Sequence, residues 1–381
     1  MGLTIAQRLK FQLLEHGIGL SQETRDTIRE ASRDQALSSH DFASTSGMIL
    51  RLEDNVWVNA PIRDHNPNFV TDECPFILQI DENGLIVRGA NMESRAHYWL
   101  QPRFHGESTF EGQPLTNYVV THGDRARLSP LHGCSMVCKF CDVPYGMRYQ
   151  KKDLDMMIDA VSRALHDPIQ PARHLLISGG TPIDQDIQWL KTVYQTVLTT
   201  FPDLDVDIMM VPTGNLIDVD ELKDQGVSQL SINLELYSDD AARRMMPKKF
   251  KQGRSHYLDF IERAAQTLGP GRVRSMLMVG LEPMEETLAG VVAIAERGGV
   301  PVLSPFRPDP ATPLRDIVPP KAAFLETVFD RATERLAGMA STLGPQCPPC
   351  THNTLSFAPV AGDDQQHSRL MSAKMECHAT C

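Results

Sequence analysis

The chain has 381 residues, 41% hydrophobic and 22% charged, which is ordinary globular usage and excludes both a disordered chain and a small crosslinked scaffold. Its 48 acidic residues outnumber 37 basic ones for a formal charge of −11, which argues against a protein that holds nucleic acid by bulk electrostatics. No apolar run reaches the roughly eighteen residues that span a bilayer, so no membrane partner is expected.

The N-terminal stretch reads as a helix without a continuous signal-peptide core and carries Glu15, Glu23, Asp26 and Glu30, which points to the cytoplasm. Short strands follow within 49–60, 75–90 and 97–104, with Asp81-Glu82-Asn83-Gly84 as a hairpin turn, so residues 1–124 read as an α+β extension. From Arg125 apolar strands alternate with amphipathic helices. Strands are expected at 125–131, 174–178, 206–212, 228–236, 272–280 and 300–304. Helices are expected at 153–167, 186–200, 218–225, 239–246, 256–268 and 285–297. Six such units, with strands that lack strict alternation, imply a parallel sheet under helices: an α/β fold, a partial (β/α)6 TIM-like barrel over 125–315. The prolines of 304–314 then force an irregular crossing, and residues 316–381 hold a helix at 321–341 and a Cys-containing C-terminal tail.

Eight cysteines in a chain expected in a reducing compartment call for metal or redox chemistry rather than disulfides. Cys74 stands alone and reads as a buried structural thiol; the others form two clusters. Cys134, Cys138 and Cys141 have the spacing C-x3-C-x2-C in the loop after the first barrel strand. Three thiolates cannot complete a tetrahedral zinc site alone, but they can hold three irons of a [4Fe–4S] cluster and leave the fourth open to a small molecule.

That loop, with the aromatic Phe140 before the last cysteine, resembles the cluster motif of the radical S-adenosylmethionine (SAM) superfamily, and the resemblance runs over about residues 125–315. It implies that the three cysteines bind a [4Fe–4S] cluster, that SAM chelates the open iron, and that one electron breaks a carbon–sulfur bond, usually giving a 5′-deoxyadenosyl radical. Gly179-Gly180-Thr181 resembles the family's Gly-Gly-Glu turn against the SAM amino group, with Thr181 where Glu is commonest. Ser231 to Tyr237 resembles the ribose-binding strand of the biotin synthase-like branch, and strand alternation puts Asn233 and Glu235 on one face. Arg244, from a basic run that otherwise reads as solvated surface, is assigned to the SAM carboxylate. Gly280, within Met278 to Glu282, resembles an element beside the adenine. Arg307, in a segment resembling the last strand of the same branch, either faces the barrel mouth to bind an anionic substrate or forms a structural ion pair.

The second cluster, Cys347, Cys350, Cys377 and Cys381, offers four thiolates for an auxiliary iron–sulfur cluster or for zinc. His352, His367 and His378 are further candidates for ligation. The expected activity is radical modification of a small-molecule substrate, with an external electron donor such as flavodoxin or ferredoxin and no nucleic-acid partner. The alternatives are transfer of a 3-amino-3-carboxypropyl group, modification of a peptide, or a non-catalytic metal scaffold.

Overall fold

The structure is a computed structural model that describes residues 2–32, 47–63, 75–358 and 370–371. The chain begins with α1 (Ile5–His16), held at its start by a capping box between Thr4 and Gln7. Then come β1 (Gly19–Leu20), α2 (Gln22–Ala31), β2 (Gly47–Leu52), β3 (Trp57–Pro61), β4 (Ile77–Asp81), β5 (Gly84–Gly89) and β6 (Met92–Trp99). These strands form one sheet in the order β1-β4-β5-β6-β2-β3. The β4–β5 hairpin turns where expected, because Asp81 Oδ1 accepts the Asn83 N–H at 2.9 Å. Asp81 is also gripped from β6 by both terminal nitrogens of Arg95, at 2.6 and 2.9 Å.

The second sheet starts with β7 (Val119–His122) and β8 (Arg125–Leu128), an antiparallel pair around the Gly123-Asp124 turn. The short β9 (Leu131–His132) leads into the cysteine loop, which contains α3 (Val143–Gly146) and returns through β10 (Gln150–Lys151). Helices and strands then alternate: α4 (Leu154–Leu165), β11 (His174–Ile177), α5 (Ile187–Thr200), β12 (Asp205–Met209), α6 (Val219–Asp224) and β13 (Gln229–Ser231). After β13 come α7 (Asp239–Met245), α8 (Pro247–Gln252), α9 (Arg254–Leu268), β14 (Val273–Val279), α10 (Met284–Glu296), β15 (Val300–Pro305) and α11 (Ala322–Leu336). The two-residue β16 (Leu370–Met371) pairs with β6 of the first sheet.

Strand order in the second sheet is β15-β14-β13-β12-β11-β8-β7, parallel except for β7. This is the expected partial TIM-like barrel. β7 is an additional strand, the antiparallel arm of a hairpin that lies outside the βα rhythm of the sequence. In β14, Val273, Ser275, Leu277 and Val279 are buried; Leu277 packs against Gly290 of α10, so this set faces the helices and Met276 and Met278 face the lumen. A Cβ on Gly290 would lie 3.0 Å from Leu277 Cδ1, which is why α10 sits so close to the sheet.

The two sheets are tied through α1. Glu15 accepts the Ala322 N–H at the start of α11 and pairs with Lys321 at 2.9 Å. Lys10, fully buried, donates to the carbonyls of Thr351 and Ser356 at 2.8 and 2.9 Å, and burial lowers its pKa well below the ordinary lysine value. The C-terminal segment is thereby held between α1 and the free edge of β15, where the Leu355 N–H reaches Leu303 O.

Because Leu277 is fully buried at the α10 contact, Leu277→Ala removes apolar area and leaves a cavity that the packed helix cannot close. A loss of about 2–5 kcal/mol in denaturant unfolding is expected; a change under about 1 kcal/mol would contradict this packing.

Candidate functional site

The parallel strands β8 and β11 point their C-terminal ends at the same place, and the loops that leave them interlock. The loop from Gly133 to Tyr149 is closed at its base by pairing of β9 with β10. On its inner side lies the turn after β11. A Cβ on Gly180 would fall 1.7 Å from Gly133 O and 3.0 Å from Cys134 Cα, so only glycine lets the turn come this close. The contact aligns the backbones: Ser135 N–H donates to Thr181 O at 2.9 Å, and Cys134 Sγ accepts N–H groups from Thr181 at 3.1 Å and Met136 at 3.3 Å. Gly180 and Thr181 therefore buttress the cysteine loop, while Gly179, at φ +142, faces Ser129 Oγ.

The loop's far side is held by the helices after β13. Lys139 N–H donates to Met245 O at 2.8 Å, and Lys248 Nζ donates to Ser135 O. Phe140 packs half-buried against the core. Cys134, Cys138 and Cys141 are free thiols. Burial pushes Cys138 up to about 11, with the Lys249 ammonium opposing the rise and Glu235 adding to it. Cys141 is raised as well, by burial and by the neighbouring Asp142 carboxylate. Thiols in this setting keep their protons until a cation takes their place.

Beside Cys138 lies a charged pair that no single segment announces. Glu235 Oε1 accepts from Lys249 Nζ at 3.1 Å, with both side chains buried. Lys249 Nζ also donates to Asn233 O at 3.2 Å. Burial alone would lower the Lys249 pKa; Glu235, with smaller contributions from Tyr257 and Cys138, outweighs burial and holds it above its ordinary value. The second carboxylate oxygen, Glu235 Oε2, is buried without a hydrogen-bond partner among the described residues.

Several expectations need correction. Strand β13 ends at Ser231, and Glu235 has φ +71, so simple alternation does not carry Asn233 and Glu235 onto one face. Asn233 Oδ1 instead accepts the Met276 N–H at 3.1 Å, spending the side chain on the irregular joint between β13 and β14. Arg244 is exposed on α7, and the basic residue delivered to Glu235 is Lys249. Gly280, at φ +103, packs against Pro320. Glu282 accepts the N–H groups of Tyr237 and Ser238 at 2.8 Å each, bracing the turn after Glu235. Arg307 is buried and donates to Asn59 O of β3 at 3.2 Å; burial pushes its pKa down to about 10. Its described contact joins the two sheets rather than facing the barrel mouth.

Residues 128–291 match the family model described as the Radical SAM superfamily. The matched stretch is a radical SAM domain, and it covers less than half of the chain. A curated protein, the bacteriochlorophyllide c C-7(1)-hydroxylase of Chlorobaculum limnaeum, is 24% identical over 134 residues, 35% of this chain; the match spans about a third (33%) of the length of that protein. Among solved structures, a radical SAM methyltransferase from Sphaerobacter thermophilus aligns with a TM-score of 0.46 at 14% identity, covering 75% of this chain and 82% of the other. The maturase HydG from Carboxydothermus hydrogenoformans aligns with a TM-score of 0.46 at 15% identity, covering 63% and 61%. The radical SAM family implies a [4Fe–4S] cluster and SAM. No helix among the described residues is long and apolar enough to cross a membrane.

Cys377 and Cys381, like Cys74, His367 and His378, lie outside the described residues. Of the second cysteine group, Cys347 and Cys350 meet Asp124 and His174. Cys350 is held well below the usual thiol range by the hydrogen bond from Cys347, with Arg125 and His174 adding to it; Cys347 is raised as the proton's keeper. His352 is buried and bonds Pro349 O through Nδ1 at 2.6 Å.

Replacing Lys249 by Met leaves the Glu235 carboxylate buried without its partner, so a loss of about 3–5 kcal/mol is expected, largely recovered in Lys249→Met/Glu235→Leu. Because the Lys249 pKa is raised in the fold, its contribution is fully present below the ordinary lysine value of 10.5 and fades only above it. Urea unfolding of both variants across neutral pH checks this; a double variant no more stable than the single one contradicts the pairing.

Proposed function

We propose that Cys134, Cys138 and Cys141 bind a [4Fe–4S] cluster whose open iron takes SAM, and that the resulting radical modifies a small-molecule substrate in the barrel lumen. When bound, such a cluster supplies the electron that cleaves SAM. The observation that carries the reading is the unpartnered Glu235 Oε2, buried next to Cys138 and the loop of three thiols. A buried carboxylate oxygen without a donor calls for one from a ligand, and a ribose hydroxyl supplies it. Lys249 pairs with the carboxylate and aims it, and its own position is fixed by Asn233 O. Gly180 and Thr181 keep Cys134 in place through the backbone.

The acidic chain favours a small molecule over a nucleic acid as substrate. Electrons arrive from outside. The loop presents Val137, Lys139, Tyr145, Met147 and Arg148 to solvent, an apolar and basic face suited to an acidic one-electron carrier of the flavodoxin or ferredoxin class. Free thiols at Cys134, Cys138, Cys141, Cys347 and Cys350 suit the reducing cytoplasm.

The test is anaerobic reconstitution with iron and sulfide counting, followed by chromatography of SAM products after dithionite reduction. About four irons at the loop, lost in Cys134→Ala/Cys138→Ala/Cys141→Ala, and formation of 5′-deoxyadenosine are expected. Glu235→Gln is expected to raise KM for SAM at least about tenfold, the worth of one hydrogen bond to a charged group. Methylthioadenosine as product would replace this reading with aminocarboxypropyl transfer. Intact clusters without SAM cleavage would overturn it.

A further inference from the structure

At the opposite end of the barrel, four metal-ligating side chains from three distant parts of the sequence converge. Asp124 sits in the β7–β8 turn, His174 opens β11, and Cys347 and Cys350 belong to the C-terminal segment. Their ligand atoms all lie within 4.8 Å of one another. Cys347 Sγ is 3.4 Å and Cys350 Sγ 4.0 Å from Asp124 Oδ1, and His174 Nε2 is 3.3 Å from Cys350 Sγ. A tetrahedral zinc ion with bonds of about 2.0–2.3 Å has ligand–ligand edges of roughly 3.3–3.8 Å, so the side chains already stand near the corners of such a site.

We propose that Asp124, His174, Cys347 and Cys350 form a closed mononuclear site for a divalent transition-metal ion, zinc by its donor set, separate from the cysteine loop. Two thiolates, an imidazole and a carboxylate suit zinc, which tolerates mixed sulfur, nitrogen and oxygen donors in a tetrahedron. With zinc bound, two thiolates and one carboxylate leave a net charge of −1. Basic side chains stand ready to balance it: Arg173 Nη1 is 3.6 Å from Asp124 Oδ2, and Arg125 acts on both Cys350 and His174. A cavity of about 460 Å³ beneath β11 to β15, lined by His174, Cys347 and Cys350 among others, provides an entry path.

The backbone is prepared for the same junction. Gly123 has φ +64, and a Cβ there would fall 2.6 Å from Pro349 Cβ, so the β7–β8 turn is packed directly on the Cys347-Pro348-Pro349-Cys350 bend. That bend is a tight turn, with the Cys350 N–H donating to Cys347 O at 3.0 Å, which brings the two thiols together. The ion would therefore fasten the C-terminal segment to the N-terminal ends of β8 and β11. These strands separate it from the cysteine loop by on the order of 13 Å, four residues at about 3.3 Å each. The N-terminal face of a barrel is where stabilising features belong, whereas chemistry sits at the C-terminal face.

The experiment is zinc quantification on the full-length chain purified anaerobically without chelator, together with cobalt substitution read by thiolate–cobalt absorption. One zinc per chain is expected, reduced to below a tenth of that in Cys350→Ser and by at least half in His174→Ala and Asp124→Ala, while Cys134→Ala/Cys138→Ala/Cys141→Ala keeps it. Should Cys350→Ser fail to fold, chelation of the wild type decides: EDTA is expected to lower Tm, and zinc but not magnesium to restore it. Zinc that survives His174→Ala and Asp124→Ala but is lost in Cys377→Ser/Cys381→Ser would overturn this ligand set in favour of four cysteines. Absence of zinc and cobalt binding, or a Cys347–Cys350 disulfide in the anaerobically purified protein, would overturn the site itself.

Discussion

The contact between Gly180 and the backbone of Gly133 and Cys134 is the constraint on which the site depends. Two loops leave neighbouring parallel strands and would diverge if Gly180 carried a side chain, because its Cβ would land inside Gly133 O. Once they touch, Cys134 Sγ is clamped by two backbone N–H groups, and the excursion to Tyr149 has a fixed root. A barrel strand order that places β8 next to β11 is therefore what makes the cysteine loop rigid. Thiol ligands held by backbone geometry need little reorganisation when a metal group arrives.

The remaining polar groups at this end are organised by burial. A lysine and a glutamate removed from water gain from their mutual attraction only if the geometry is good, and the Lys249–Glu235 pair meets that requirement through the added bond to Asn233 O. One oxygen is left over, and in a dry site an unpaired carboxylate oxygen is costly unless a ligand satisfies it. Glu282 plays the complementary role one turn away: all its described hydrogen bonds stay within the protein, so it shapes the loop and has nothing left for a ligand.

The alternation of apolar strands and amphipathic helices was legible because it depends on local burial, and the parallel strands from Arg125 to Pro305 follow it. The cysteine loop was legible for a similar reason, since its three thiols and its place after a strand lie within a few residues. What was hidden depends on contacts between distant residues. Lys249 looks like one of several surface cations until α8 folds back over Glu235. Asn233 looks like a lumen-facing residue until the backbone departs from strand geometry and Met276 N–H takes its oxygen. Asp124 and His174 carry no motif at all, because their common partners are more than 170 residues away: His174 and Cys350 are separated by 176 positions. The cysteine spacing marks Cys347 and Cys350 but not Asp124 and His174 beside them.

The most direct test of the central claim is low-temperature electron paramagnetic resonance of the reduced, reconstituted enzyme, with and without SAM, for the wild type and Gly180→Ala. If the turn after β11 fixes a cysteine loop whose cluster binds SAM, the wild-type signal changes when SAM is added and the Gly180→Ala signal is weak or absent. A wild-type signal indifferent to SAM, or a full and SAM-responsive signal in Gly180→Ala, would contradict the account.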